Sequence, residues 1–153
     1  MVFANKHTRN MAIMATRHCL IGCGIGEVLG MVISTLADLG NGMSVAVSII
    51  LAFIFGYSFT YFPLVKHLGR RKALSTAFAS DTISITSMEL VDNAIIVVVP
   101  GALSATLGQP LFWFSLAISL AIAFVVTVPV NYWLIARGKG HAVLPGDHMH
   151  HHH

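Results

Sequence analysis

The chain has 153 residues, of which 56% are hydrophobic and only 10% charged, with a formal net charge of +3. Soluble domains carry about 25% charged residues, so the composition excludes a water-soluble globule, and the low charge equally excludes a disordered chain. A mean hydropathy of +0.77 puts most of the surface in lipid, and the length allows about four membrane-spanning helices of about 20 residues each.

Residues 1–10 are polar and basic and form a short tail. The first apolar stretch covers residues 11–39, and Asn41-Gly42 then predicts a tight turn. A second stretch runs over 43–68, where Pro63 removes a backbone donor and should loosen the last turns. Gly69-Arg70-Arg71-Lys72 forms a basic loop, a third stretch covers 73–99, and an uncharged loop leads to the fourth, 110–135. The expectation is an all-α, polytopic membrane protein: a compact four-helix transmembrane domain over 11–140 and a His-rich tail over 141–153. Thr35-Leu36-Ala37 resembles a signal-peptide cleavage site, but the first stretch is too long and carries His18, Cys19, Cys23 and Glu27, so a retained span is expected.

The basic residues set an orientation. Lys6, Arg9 and Arg17 flank the first span, Lys66 and Arg70 to Lys72 lie between the second and third, and Arg137 and Lys139 follow the fourth. The other two loops have neither Lys nor Arg, so the positive-inside rule puts both termini in the cytoplasm and the chain in a prokaryotic plasma membrane. Basic residues confined to span edges give no nucleic-acid footprint. Trp113 and Trp133 sit near opposite ends of the fourth span as interfacial anchors.

Four of the six acids, Glu27, Asp81, Glu89 and Asp92, fall inside the spans. A mid-bilayer carboxylate costs about 2.5–3.5 kcal/mol on insertion scales, so four would cost on the order of 10 kcal/mol unless protonated, paired or bound to a cation. With Asp81 at zero on a helical wheel, Asp92 lies near about 20°, Glu89 near about 80°, Met88 near about −20° and Ser84 near about −60°, one polar sector. The alternative is that these acids only specify packing, but no Lys or Arg lies deep enough to pair with them.

The first span carries two stripes. Gly22, Gly26 and Gly30 form GxxxGxxxG, which predicts close packing on the third helix or on a second copy, a homodimer. Cys19, Cys23, Glu27 and Met31 also recur every four residues, so two thiols one turn apart could share a soft metal ion. Buried Cys is equally a small hydrophobe. His18 beside the thiols and Met88 on the third helix favour a metal, although a histidine near a helix end is more often simply hydrogen-bonded. Depth counted from the basic ends pairs His18 with Asp81, Cys23 with Ser84, Glu27 with Met88 and Glu89, and Met31 with Asp92. Pro129 should kink the fourth span. The tail HMHHHH reads as a purification tag, with a metal-collecting arm as the alternative.

The segments RHCLIGCGIGEVLGM, ASDTISITSMELVDN, VPGAL and FVVTVPVNYWLIARGKGHA together resemble an uncharacterised family, a domain of unknown function, of small four-helix prokaryotic membrane proteins with HCxxGC, DTxSIxxMExxDN and RGKGHA signatures. The matching positions include His18, Cys19, Gly22, Cys23, Asp81, Ser84, Met88, Glu89, Asp92, Asn93, Pro129 and Gly138 to His141. The resemblance implies the four-helix fold and assigns no activity.

Function rests on the residues. The leading expectation is a transporter or permease for a soft or transition metal. His18, Cys19, Cys23 and Met88 would be soft ligands suited to copper, and Glu27, Asp81, Glu89 and Asp92 would hold a harder cation or relay protons. Three alternatives stay open: a membrane metalloenzyme or redox subunit, a proton or cation channel, and a structural subunit. No P-loop or nucleotide motif is present.

Overall fold

The computed structural model describes residues 5–137; Lys139, the Gly138-to-His141 segment and the His-rich tail lie outside the described residues. Four α-helices make up nearly all of it: α1 (Lys6–Leu36), α2 (Asn41–Leu68), α3 (Arg70–Val98) and α4 (Pro110–Ala136), with a 3-10 turn at Ala102–Ser104. Helices of 27 to 31 residues reach about 40–46 Å at 1.5 Å per residue, longer than the roughly 30 Å hydrocarbon core.

The helix ends differ from the sequence expectation. α1 starts at Lys6, one turn before the apolar stretch, because Asn5 caps it: its side-chain oxygen accepts a hydrogen bond from the His7 amide at 3.0 Å. The turn expected at Asn41-Gly42 lies earlier, since both residues belong to the first turn of α2. Asp38 makes the reversal instead, with φ of 53°, a left-handed conformation that Asp tolerates better than most residues. The Leu39 amide donates to the Ser34 carbonyl and the Asp38 amide to that of Thr35, the bond pair of a Schellman cap. α2 continues through Pro63 to Leu68, and α4 continues through Pro129 to Ala136.

α1, α2, α3 and α4 follow one another around a ring that α4 closes against α1, leaving α1 and α3 diagonal across the axis. The glycine stripe therefore meets α2, not α3. A Cβ added to Gly22 would lie 2.9 Å from Gly56 Cα, one on Gly26 would overlap the Ala52 backbone, and Gly30 rests on Ser48. Each four-residue step up α1 is matched by four residues down α2, as antiparallel close packing requires. The face expected to receive the third helix or a second copy is thus filled by α2 of the same chain.

Three helices, α1, α2 and α4, are long and apolar enough to cross a membrane. α3 is as long but less apolar, because Asp81, Glu89 and Asp92 fall within twelve residues of it. Large apolar side chains, among them Ile50, Phe62, Leu90, Val97, Phe114 and Val125, are exposed, while Thr16, Ser84, Ser119, Thr127 and Asn131 are almost wholly buried. Small and polar residues inside with aliphatic residues outside is the distribution suited to lipid, where burying a leucine gains little and close backbone approach gains more.

Candidate functional site

Each helix turns one stripe of small or polar residues to the axis. On α4 the stripe is Ser115, Ser119, Ala123, Thr127 and Asn131, all buried and four residues apart. On α2 it is Ser44, Ala52, Gly56 and Thr60. Short side chains there leave the axis to the longer polar groups of α1 and α3, which meet across it.

The central layer holds three carboxyls, Glu27 of α1 and Glu89 and Asp92 of α3, with relative exposures of 7%, 5% and 1%. Glu27 and Asp92 lie within hydrogen-bond reach of each other. Two touching carboxyls hold together only through a shared proton or a cation. The Ser119 hydroxyl makes a short hydrogen bond to Asp92 Oδ1 and also lies 3.0 Å from the Leu116 carbonyl oxygen. Glu89 Oε2 accepts from the Asn93 side-chain amide at 3.3 Å, and the same amide donates to the Glu89 carbonyl at 2.8 Å. Both carboxyl oxygens of Glu27, Asp92 Oδ2 and Glu89 Oε1 are buried and accept nothing from a protein donor. Every described Lys and Arg is exposed, so none neutralises this layer.

A cavity of about 60 Å³ reaches the three acids from the end of the bundle formed by the α1–α2 and α3–α4 connections, where Asn41, Ala102 and Leu103 line it. Its inner walls carry Ser44, Ser48, Asn93 and Ser115. Water or an ion needs about 10–15 Å³ by this measure, so the space accommodates a few small species.

On the other side of the acids lie the thiols. Cys19 and Cys23 are free, buried, and 3.9 Å apart at sulfur. They share a packed cluster with Met88, Ile85, Ala52 and Ala123, and Cys23 also reaches Glu89. Asp81 lies eight residues before Glu89 on α3, about 12 Å along the helix axis. It is 3% exposed and takes a 2.8 Å hydrogen bond from Ser80. The Asn131 side chain donates to Thr16 Oγ1 at 2.8 Å, tying α4 to α1 just beyond Pro129, and Thr16 in turn donates to the Ala12 carbonyl at 2.7 Å.

The expected residues therefore divide. Glu27, Glu89 and Asp92 converge, and Cys19, Cys23 and Met88 pack beside them. Asp81 is buried in a separate layer, and His18 is exposed on α1 and is not brought to the site. The α1–α3 register is about one turn from that expected: Cys23 meets Glu89 where Ser84 was anticipated, and Glu27 meets Asp92. Among the described residues, no three of His, Cys, Asp and Glu are gathered as a ready-made metal site. Sequence reasoning missed Ser115 and Ser119. The signal was present in the four-residue spacing of small residues through an otherwise bulky helix.

A family model described as a domain of unknown function (DUF4396) matches residues 8–140, which takes in nearly all of α1 and the other three helices. No curated protein and no solved structure matches the chain.

Proposed function

Since the chain belongs to the DUF4396 family, whose description assigns no activity, we propose a function from the site itself: a four-span membrane transporter for metal cations. The observation that carries this reading is the set of buried carboxyl oxygens on Glu27, Glu89 and Asp92 that no protein donor satisfies, at the inner end of a cavity. Intramembrane carboxylates are costly, and functional sites are where they are retained. A cation arriving along Asn41, Ser44 and Ser48 would satisfy the free oxygens and offset the repulsion between Glu27 and Asp92.

α3 is the fourth span in this reading. Its three acids face inward, and its outer face presents Leu74, Phe78, Ile83, Leu90 and Val97, so its exterior suits lipid despite its lower hydropathy. Both termini and the α2–α3 loop are cytoplasmic, as the basic residues require, in a prokaryotic plasma membrane. The cavity then faces the outside and the ion moves inward past the thiols.

Proton conduction is the second reading. It is favoured by the buried hydroxyls of Ser84 and Thr127, neither of which has a hydrogen-bond partner, because they continue the polar groups beyond the thiols. Liposomes containing the protein and either a metal-sensitive or a pH-sensitive dye separate the two. Metal uptake abolished in Glu27→Gln and Asp92→Asn supports the transporter. Proton flux without metal flux replaces it with the channel, and neither flux with intact folding leaves a structural subunit.

A further inference from the structure

The geometry points to a second ion station, the Cys19–Cys23 pair with Met88, which takes one soft monovalent cation of the Cu(I) or Ag(I) kind in trigonal sulfur coordination. It rests on the transporter reading above and deepens it by naming the class of ion.

The two sulfurs are 3.9 Å apart. With metal–sulfur bonds of about 2.3 Å, that separation corresponds to an S–metal–S angle of about 116°, near the trigonal value, whereas a linear bridge would need about 4.6 Å. A three-coordinate ion needs one more donor. Met88 is 0% exposed and sits in the same packed cluster, and its thioether is a soft donor that needs no ionisation. The described residues offer the thiols no imidazole, since His18 is exposed. Two thiols and a thioether without imidazole favour Cu(I) or Ag(I) over Zn(II), which prefers four ligands from thiolate and imidazole. The station has a route in: Glu89 lines the cavity and also reaches Cys23, so an ion leaving the carboxyl layer meets the first thiol directly.

The test is Ag(I) titration of the full-length protein in detergent, read by thiolate-to-metal ultraviolet absorption and by thermal stability. The tail histidines also bind ions, so the quantity of interest is the difference between wild type and variants. Wild type is expected to bind one more Ag(I) per chain than Cys19→Ser, and to gain stability that the variant does not. Met88→Leu, which keeps the side-chain volume, should weaken the absorption band while circular dichroism remains helical. Cys19→Ala serves if the serine variant is poorly folded. Equal Ag(I) binding and equal stabilisation in wild type and the cysteine variants overturn the station, as does a response to Zn(II) in place of Ag(I). Glu27→Gln should retain the Ag(I) band. If the wild-type protein gives the Ag(I) band but no metal flux in liposomes, the station stands while the transporter reading fails.

Discussion

Glu27 and Asp92 face each other across the bundle axis from α1 and α3, the two helices that stand on opposite corners of the ring. Their backbones approach each other far less than those of neighbouring helices do. Their long polar side chains cross the axis because α2 and α4 offer only small residues at that level, Ala52 and Ser119, both with 0% exposure. The acid layer is therefore a product of all four helices, although its carboxyls come from two.

Glu27→Gln should fold at least as well as wild type. It replaces one of two touching carboxyls by an amide that can donate to Asp92 and so relieves like-charge repulsion. Cation uptake in liposomes should nevertheless fall by about tenfold or more, each tenfold being 1.4 kcal/mol. A drop in thermal stability with unchanged uptake would make Glu27 a packing residue.

Wild-type metal uptake should weaken as the pH is lowered, because protons compete with the cation for the same carboxyl oxygens. Uptake measured at several external pH values under zero membrane potential provides the check. An uptake rate indifferent to pH would remove the carboxyls from the ion path.

Gly26→Ala should separate α1 from α2, because its new Cβ would overlap the Ala52 backbone, which cannot yield as a flexible side chain can. The cost should be about 1–3 kcal/mol, as for other overpacked sites, seen as a lower unfolding midpoint in detergent. Gly24→Ala is the control, since its Cβ would lie 3.4 Å from the movable Leu120 Cδ1. Equal stability of the two variants would mean that the α1–α2 contact is looser than described.

Asn131→Leu should cost about 0.6–1.7 kcal/mol, the range of interhelical hydrogen bonds in membranes, because it removes the donor to Thr16. Asn131→Leu combined with Thr16→Val should cost little more than either change alone. Additive losses in a double-mutant cycle would show that the two residues act independently.

Cysteines introduced at Asn41 and Thr106, both exposed, in a background lacking Cys19 and Cys23, should react with impermeant reagents only from outside the cell. Labelling of either position from the cytoplasm would reverse the orientation.

The sequence by itself determined the all-helical class and the helix count. It also determined the confinement of basic residues to alternate connections and the presence of Glu27, Glu89 and Asp92 on inward faces. Those features depend on composition and on a periodicity within each helix, which a single chain segment carries whole. Tertiary structure decided which helix the glycines meet, that Cys23 lies level with Glu89 and not with Ser84, and that Ser119 completes the acid layer while His18 stays outside it. A helix's own period names its buried face, but neither the neighbour on that face nor the axial register between them. Both are set by how closely backbones can approach, and here the tightest approach, Gly26 on Ala52, seats α1 against α2 and leaves α1 and α3 to meet mainly through their side chains.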